Sequence, residues 1–455
     1  MRDAFAAALD APVERAVLLA GGASKEAWAV DSDGRELLIR RAAGGVIHQG
    51  TLTLQHEFEV LRAAHEAGVK VPEPIAYLGD VEGREAFVMA RVQGETIGRR
   101  IVKNPPPGLD VEMAEELAKI HAIPPDRLPF LETGDQVRRF YAELDSVGEP
   151  HPAIELGLHW VKERLPRHRE PVVVHGDWRI GNIAVDENGI VAVLDWEFAH
   201  LADPVEDLSW PLVRAWRFGA DDKHLGGVGD LDRYLDRYAE LTGLEVTRDE
   251  LLTWEVFGNV KWATGCLTQS RRHFNGQERS VELAVLGRLA AEMEYELLDL
   301  IDPSRPRAPA APAGQSPAPP PARAPHGTEL SWSVLTALSP PAPHREERAE
   351  SARFMQHDRP TPQELAEAVR EFLQAEILPI LDDHRLKFRT LVAINGLGIA
   401  ERELWATTPP REEDWELARR IRAGDVPENA VGLLKEQVAA KLRVSNPRAL
   451  AKYEE

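Results

Sequence analysis

The residues that most restrict this chain run VVVHGDWRIGNIAVDENGIVAVLDWE, from Val172 to Glu197. Three β-branched valines form a buried strand that leads straight into His175-Gly176-Asp177. Ile183-Ala184-Val185 and Ile190-Val191-Ala192-Val193-Leu194 are two further strands, and Asp186-Glu187-Asn188-Gly189 between them is turn chemistry, so the pair folds back as a hairpin. The return sets its two ends, Asn182 and Asp195, on neighbouring strands about 5 Å apart. An amide oxygen and a carboxylate at that spacing can share one hard cation. Mg²⁺ takes a few protein oxygens and completes its octahedron with phosphate oxygens and water. Asp177, in the preceding loop, faces the same spot and is placed to accept the proton of an attacking hydroxyl.

The flanks of this segment differ in character. Upstream, Val17–Ala20, Trp28–Val30, Leu37–Ile39 and Phe87–Met89 read as strands, with Gly21-Gly22-Ala23-Ser24 as a turn and Asp33-Gly34 as a hairpin signal. Residues 52–67 carry Leu54, Phe58, Leu61 and Ala64 at helical spacing. Residues 111–122 and much of 155–300 read as helix. The expected architecture is therefore α+β, with a small β-rich lobe over residues 1–92 and a large α-rich lobe over 93–302.

Residues 303–327, PSRPRAPAAPAGQSPAPPPARAPHG, contain nothing apolar larger than Ala or Pro and cannot bury a core. We read 303–345 as a Pro/Ala-rich linker and 346–455 as a separate all-α bundle. Thr361-Pro362-Gln363-Glu364 has the pattern of a capping box. Helical patterns follow through Leu365–Leu373, Leu386–Leu404, Trp415–Ile421 and Val431–Leu442, with Pro379 kinking or ending the first.

Composition narrows the function. With 75 acidic against 54 basic residues the net charge is −21, which disfavours nucleic acid and anionic membranes as partners. The single cysteine, Cys266, can form neither an internal disulfide nor a Cys-based zinc site. The N-terminal residues lack the apolar run of a secretory signal, and no stretch reaches membrane-spanning length. A cytoplasmic protein is expected. The sequence leaves its oligomeric state open.

His-Gly-Asp at 175–177, Asn182, Asp195-Trp196-Glu197, Asp203-Pro204 and Asp207-Leu208 together resemble the aminoglycoside phosphotransferase and choline kinase superfamily, small-molecule relatives of protein kinases. The resemblance implies a bilobal protein-kinase-like fold using ATP and Mg²⁺. It implies Asp177 as catalytic base, Asn182 and Asp195 as metal ligands, and Asp207 as a tie for the catalytic loop. His175 is read as a loop brace. Gly21, Gly22 and Ser24 would cover the ATP phosphates through backbone N–H groups. Arg40 stands where the family often has Lys, and is chosen over Arg41 by strand alternation; Glu57 would orient it. Met89 through Arg91 would be the hinge that meets adenine. No Walker motif, Asp-Phe-Gly or Ala-Pro-Glu is present, which argues against protein substrates.

The acceptor is the open question. Trp210, Trp216, Trp254 and Trp262 read as core aromatics in preference to pocket walls. With the nearby basic residues they suit an anionic or apolar acceptor better than a polycation. Gly-Gly-x-Ser, Leu38-Ile39-Arg40-Arg41 and Val71-Pro72-Glu73-Pro74 resemble the kinase domains associated with acyl-CoA dehydrogenases. That branch implies a hydroxyacyl-CoA acceptor, such as a 4-hydroxyacyl-CoA, and acyl-CoA-metabolising enzymes as partners. The helical tail resembles a small domain that accompanies such kinases. An aminoglycoside, a choline-like alcohol or a sugar as acceptor, or a non-catalytic nucleotide-binding scaffold, are the alternatives.

Overall fold

The structure, a computed structural model, describes residues 1–19, 25–42, 51–165, 169–304, 362–403 and 412–454. Gly21, Gly22 and Ser24, and the linker beyond residue 304, lie outside the described residues.

The N-terminal lobe is a five-stranded antiparallel sheet in the order β1-β2-β3-β5-β4. Helix α1 (Arg2–Leu9) precedes β1 (Val13–Leu18), β2 (Lys25–Ser32) and β3 (Arg35–Ala42); α2 (Leu54–Glu66) precedes β4 (Pro74–Asp80) and β5 (Glu85–Ala90). Asp33 and Gly34 join β2 to β3 with φ of 49° and 72°, as a tight hairpin turn requires. Strand alternation then sorts the side chains of β3 onto two faces. Leu37 and Ile39 pack with Phe5, Val30 and Val88 under α1. Leu38 and Arg40 face α2, whose Leu54, Phe58 and Leu61 pack with Phe87 and Met89 of β5. Thr53 caps α2 by accepting from the His56 N–H at 3.2 Å.

The second lobe opens with α3 (Gly98–Lys103), α4 (Leu109–His121), α5 (Gln136–Val147) and α6 (Pro152–Lys162). Four short strands follow: β6 (Val172–Val174), β7 (Ile183–Asp186), β8 (Gly189–Val193) and β9 (His200–Ala202). β7 pairs with β8 as the expected hairpin, and β6 pairs with β9. Then come α7 (Val205–Ser209), α8 (Leu231–Thr242), α9 (Arg248–Phe274), α10 (Val281–Leu286) and α11 (Ala290–Ile301). α9 is the axle of the lobe, buried through Trp254, Phe257, Val260 and Cys266, and begun by a Thr247–Glu250 capping box.

The C-terminal region is helical, over Pro362–Phe372, His384–Glu403, Glu412–Arg422, Ala430–Ser445 and Pro447–Glu454. The first helix loosens into a π turn and a 3₁₀ turn around Pro379. The C-terminal helices also pack on the large lobe. Leu434, Val438 and Leu442 share one core with Leu297 and Leu298 of α11. Lys441 pairs with Glu294 at 2.9 Å, Lys435 with Asp299 and Asp302 at 2.9 Å each, and Arg422 with Asp145 at 2.6 Å. The physical reason is that short amphipathic helices bury too little against each other, while α6, α10 and α11 offer them apolar faces. Among the described residues no helix is long and apolar enough to cross a membrane.

Candidate active site

The loop after β6 is built around Asp207 on α7. Its carboxylate accepts the N–H of His175 at 2.6 Å and of Gly176 at 2.9 Å. Gly176 has φ +78°, and a Cβ there would sit 2.2 Å from the Phe198 carbonyl oxygen, so only glycine fits. His175 is fully buried; its Nε2 donates to the Leu194 carbonyl at 2.9 Å and its Nδ1 accepts the Asp177 N–H at 3.2 Å. Those two bonds fix the orientation of a ring that braces the loop.

This bracing presents the Asp177 carboxylate. Oδ1 accepts from Trp210 Nε1 at 2.6 Å and Arg179 Nε at 2.9 Å, and Oδ2 accepts from Asn182 Nδ2 at 2.5 Å. Trp210 reaches it because Gly258 of α9 leaves room: a Cβ at 258 would lie 2.6 Å from Val213 and 3.3 Å from the Trp210 ring. Asn182 spends its amide nitrogen on Asp177, which leaves its Oδ1 as the end available to a cation. The β7–β8 ladder carries on to a Leu194 N–H to Asn182 carbonyl bond of 2.8 Å, so Asp195 follows directly, with φ +65°. A non-glycine residue held there stores backbone strain.

The N-terminal lobe supplies the opposite wall. Arg40 donates to Asp195 Oδ1 at 3.0 Å and lies 3.4 Å from Glu57 Oε1. Arg41 turns to the other face and binds Glu26 and the carbonyls of Val81 and Glu82. Lys25 pairs with Glu57 and, at 2.9 Å, with Glu197. Burial opposes the charge on Arg40, but Glu57, Asp195 and Glu197 outweigh it and raise its pKa. Burial likewise pushes Asp195 up, yet Arg40 and Lys25 hold it below the usual carboxylate range. Burial and the neighbouring Asp195 push Glu197 up. Two cations thus face three carboxylates, and a divalent cation bringing phosphate oxygens would complete the balance.

The structure brings Asp177, Asn182, Asp195, Arg40 and Glu57 together. It leaves Arg91 aside: its N–H donates to the Glu36 carbonyl at 3.0 Å and its guanidinium pairs with Glu36 and Asp31. Arg91 thus spends its backbone donor within the sheet. Met89 is buried in the core, on a strand paired with Leu38 and Pro74. The sequence does not single out Lys25, which directly follows the glycine turn, and it offers Glu197 only as the end of Asp-Trp-Glu, with no role of its own. Arg179 and the Trp210 indole had no sequence signal as partners of Asp177. Among the described residues no group of three or more His, Cys, Asp or Glu is arranged to hold a metal. An Asn–Asp pair that shares its cation with phosphate needs no third such ligand.

Similar proteins extend this picture. The phosphotransferase enzyme family matches residues 15–245. Acyl-CoA dehydrogenase family member 10 of Mus musculus is 25% identical over 308 residues, 60% of this chain and 28% of that protein. Acyl-CoA dehydrogenase family member 11 of Gallus gallus is 29% identical over 207 residues, 42% of this chain and 26% of that protein. The chain thus spans less than a third of the length of these curated relatives. A solved structure from Ralstonia eutropha JMP134, assigned as an aminoglycoside phosphotransferase, is 21% identical with a TM-score of 0.54, and covers 65% of this chain and 97% of that one. At that identity it shows a shared fold. A family match over more than half of the 455 residues, on a bilobal frame with its polar cluster between the lobes, makes this chain a kinase-type member of the phosphotransferase enzyme family.

Proposed function

We propose that the chain is an ATP- and Mg²⁺-dependent small-molecule kinase whose acceptor is the hydroxyl of a hydroxyacyl-CoA, such as a 4-hydroxyacyl-CoA. The observation that carries the reading is a pair of contact sets at the ends of one hairpin: Glu57 and Arg40 of the small lobe with Asp195, and Asn182 with Asp177 in the large lobe.

Asn182 Oδ1 and Asp195 are the residues that would hold Mg²⁺, and their hard oxygens suit it. The ion would supply charge neutralisation on the phosphate oxygens. Arg40, with Lys25 and Glu57 behind it, orients the polyphosphate. Asp177 accepts the proton of the acceptor hydroxyl as that oxygen forms its bond to the γ-phosphorus. The bond from phosphorus to the β–γ bridging oxygen breaks, and ADP leaves with the electron pair. Trp210, Arg179 and Asn182 hold the Asp177 carboxylate in one orientation meanwhile.

The acyl-CoA part of the reading is supported by relatives that carry acyl-CoA dehydrogenase in their names. Phosphorylation turns a poor leaving group into a good one, so an enzyme that eliminates or displaces phosphate would act next. The test is transfer of phosphate from [γ-³²P]ATP to 4-hydroxyhexanoyl-CoA, choline, an aminoglycoside and a simple sugar, side by side. Labelled thioester in the presence of Mg²⁺, and none in EDTA, is expected. Transfer to another alcohol in preference would overturn the acceptor, and transfer to none would overturn the kinase.

A further inference from the structure

The Asp177 carboxylate takes three donors: Trp210 Nε1 and Arg179 Nε on Oδ1, and Asn182 Nδ2 on Oδ2. A carboxylate offers about four lone-pair sites, so the acceptor hydroxyl meets the one left, on Oδ2. Two of the three donors already fix the group: Trp210 is buried, and Asn182 also bonds the Asp177 carbonyl at 3.0 Å. A guanidinium as the third is more than orientation requires.

Arg179 is itself held in one place. Its guanidinium lies 4.3 Å over the Trp216 ring, which packs against Trp210 at 5.4 Å and Trp262 at 4.9 Å. Nη1 donates to the Ile180 carbonyl at 3.3 Å. Gly181 leaves the space for it: φ there is +104°, and a Cβ would sit 2.8 Å from Nη1. Nη2 makes no hydrogen bond among the described residues, and the Arg179 side chain is 22% exposed. A fixed cation beside the base thus keeps two N–H donors unspent.

The charges of the cleft show what they suit. Arg40 and Lys25 are matched by Glu57, Asp195 and Glu197. Among the described residues Arg179 is the one cation bonded to Asp177. Its charge is also felt at the metal end: burial pushes the Asp195 carboxyl up, and Arg179, after Arg40 and Lys25, is among the cations that hold it down. With Nε 2.9 Å from Oδ1, bond lengths put Nη2 within about 5 Å of that oxygen. A hydroxyl on Oδ2 must bring its oxygen to about 3–3.5 Å from the phosphorus it attacks, which sets the phosphoryl oxygens within reach of Nη2.

Resting on the proposed kinase reading, we infer that Arg179 is a further catalytic residue: Nε holds Asp177 while Nη2 donates to an oxygen of the γ-phosphoryl group as it passes to the acceptor. Its work is to stabilise the charge on the equatorial oxygens. A guanidinium gives up no proton in doing so. The hydroxyl proton goes to Asp177, the new bond runs from the acceptor oxygen to phosphorus, and the electron pair of the broken bond leaves on ADP.

The experiment uses the full-length protein with the alcohol it phosphorylates. Arg179→Ala is expected to lower kcat by about 10² to 10³, the worth of one donor aimed at transition-state charge, with KM for ATP and acceptor nearly unchanged. Added guanidinium ion, well below denaturing concentrations, should restore part of that kcat and saturate. Trp210→Phe is the control. It removes the other donor to Oδ1 and no charge, so its lowered kcat should not respond to guanidinium. ADP with Mg²⁺ and aluminium fluoride, which stands in for the transferring group, gives a readout free of the acceptor. The parent and Trp210→Phe should bind ADP about a hundredfold tighter with the fluoride than without it. Arg179→Ala should lose about tenfold or more of that gain, the scale of a charged hydrogen bond, with its Kd for ADP alone unchanged. Arg179→Gln, neutral and closer in length, carries the same measurements if the alanine variant melts below the parent. Absence of rescue together with a full fluoride gain in the Arg179 variants would show that Arg179 only orients Asp177; it would overturn the inference and leave the kinase standing. A parent that transfers phosphate to no alcohol and gains nothing from the fluoride would remove the kinase reading and this inference with it.

Discussion

The guanidinium of Arg40 lies 3.0 Å from Oδ1 of Asp195, so a cation of the small lobe sits on an acid of the large one. Arg40 is mostly buried, and about a third of the Asp195 side chain is open to solvent. The pair thus links the two lobes across the cleft. Arg40→Ala is expected to raise KM for ATP about tenfold or more, the range of a charge-assisted contact. Arg41→Ala should leave that KM alone and lower only thermal stability, because Arg41 binds Glu26, Val81 and Glu82 on the far face of the sheet. Steady-state kinetics on both variants check this; equal KM effects would break the assignment.

Asp177→Ala should lower kcat by roughly 10² to 10⁴, the usual worth of a general base. ATP affinity, measured by calorimetry, should change little, since Asp177 contacts Trp210, Arg179 and Asn182 rather than the small-lobe cations. Parallel loss of binding and turnover would contradict the role.

Asp195→Ala should act through the metal. The variant is expected to bind ATP with an affinity that no longer depends on Mg²⁺, seen by titrating nucleotide at several Mg²⁺ concentrations. A parent-like Mg²⁺ dependence would remove Asp195 from the ligand set.

Lys25 and Glu57 form a buried pair, and breaking such a pair from one side costs about 3–5 kcal/mol. Lys25→Met and Glu57→Gln, alone and together, should give a double-mutant cycle with a coupling above about 1 kcal/mol in urea unfolding. Additive effects would mean that Arg40, not Lys25, is the partner that matters to Glu57.

Glu292 sets a pH dependence whose sign is fixed. Burial raises its pKa in the folded protein to about 7, against roughly 4.3 in an unfolded chain. Between those values the folded state binds more protons, so this group's contribution falls as pH rises and is least favourable above about 7. Glu292→Gln should therefore melt a few degrees higher than the parent at pH 8, with the difference vanishing near pH 4. A variant that melts lower at pH 8 would show that the charged form is the favoured one.

Much of the site was legible because it is local. The hairpin 183–193, with turn residues between two apolar runs, puts Asn182 and Asp195 at one end without help from the rest of the chain. Strand period alone separates Arg40 from Arg41. The hinge was less legible: Arg91 looks free in sequence, but the pairing of β3 beside β5 hands its N–H to Glu36.

The sequence by itself determined the two-lobed order of elements, the strand-borne acids and amide, and the helical nature of the tail, because periodicity and turn chemistry act over a few residues. Only the tertiary structure decided that Lys25 shares Glu57 with Arg40, that Trp210 reaches across 33 positions to Asp177, and which faces of the tail helices meet the large lobe. Those outcomes depend on which faces meet once the chain has closed on itself. Apolar stripes and buried charges take whatever partner the packed fold leaves within reach, and no local pattern encodes that choice.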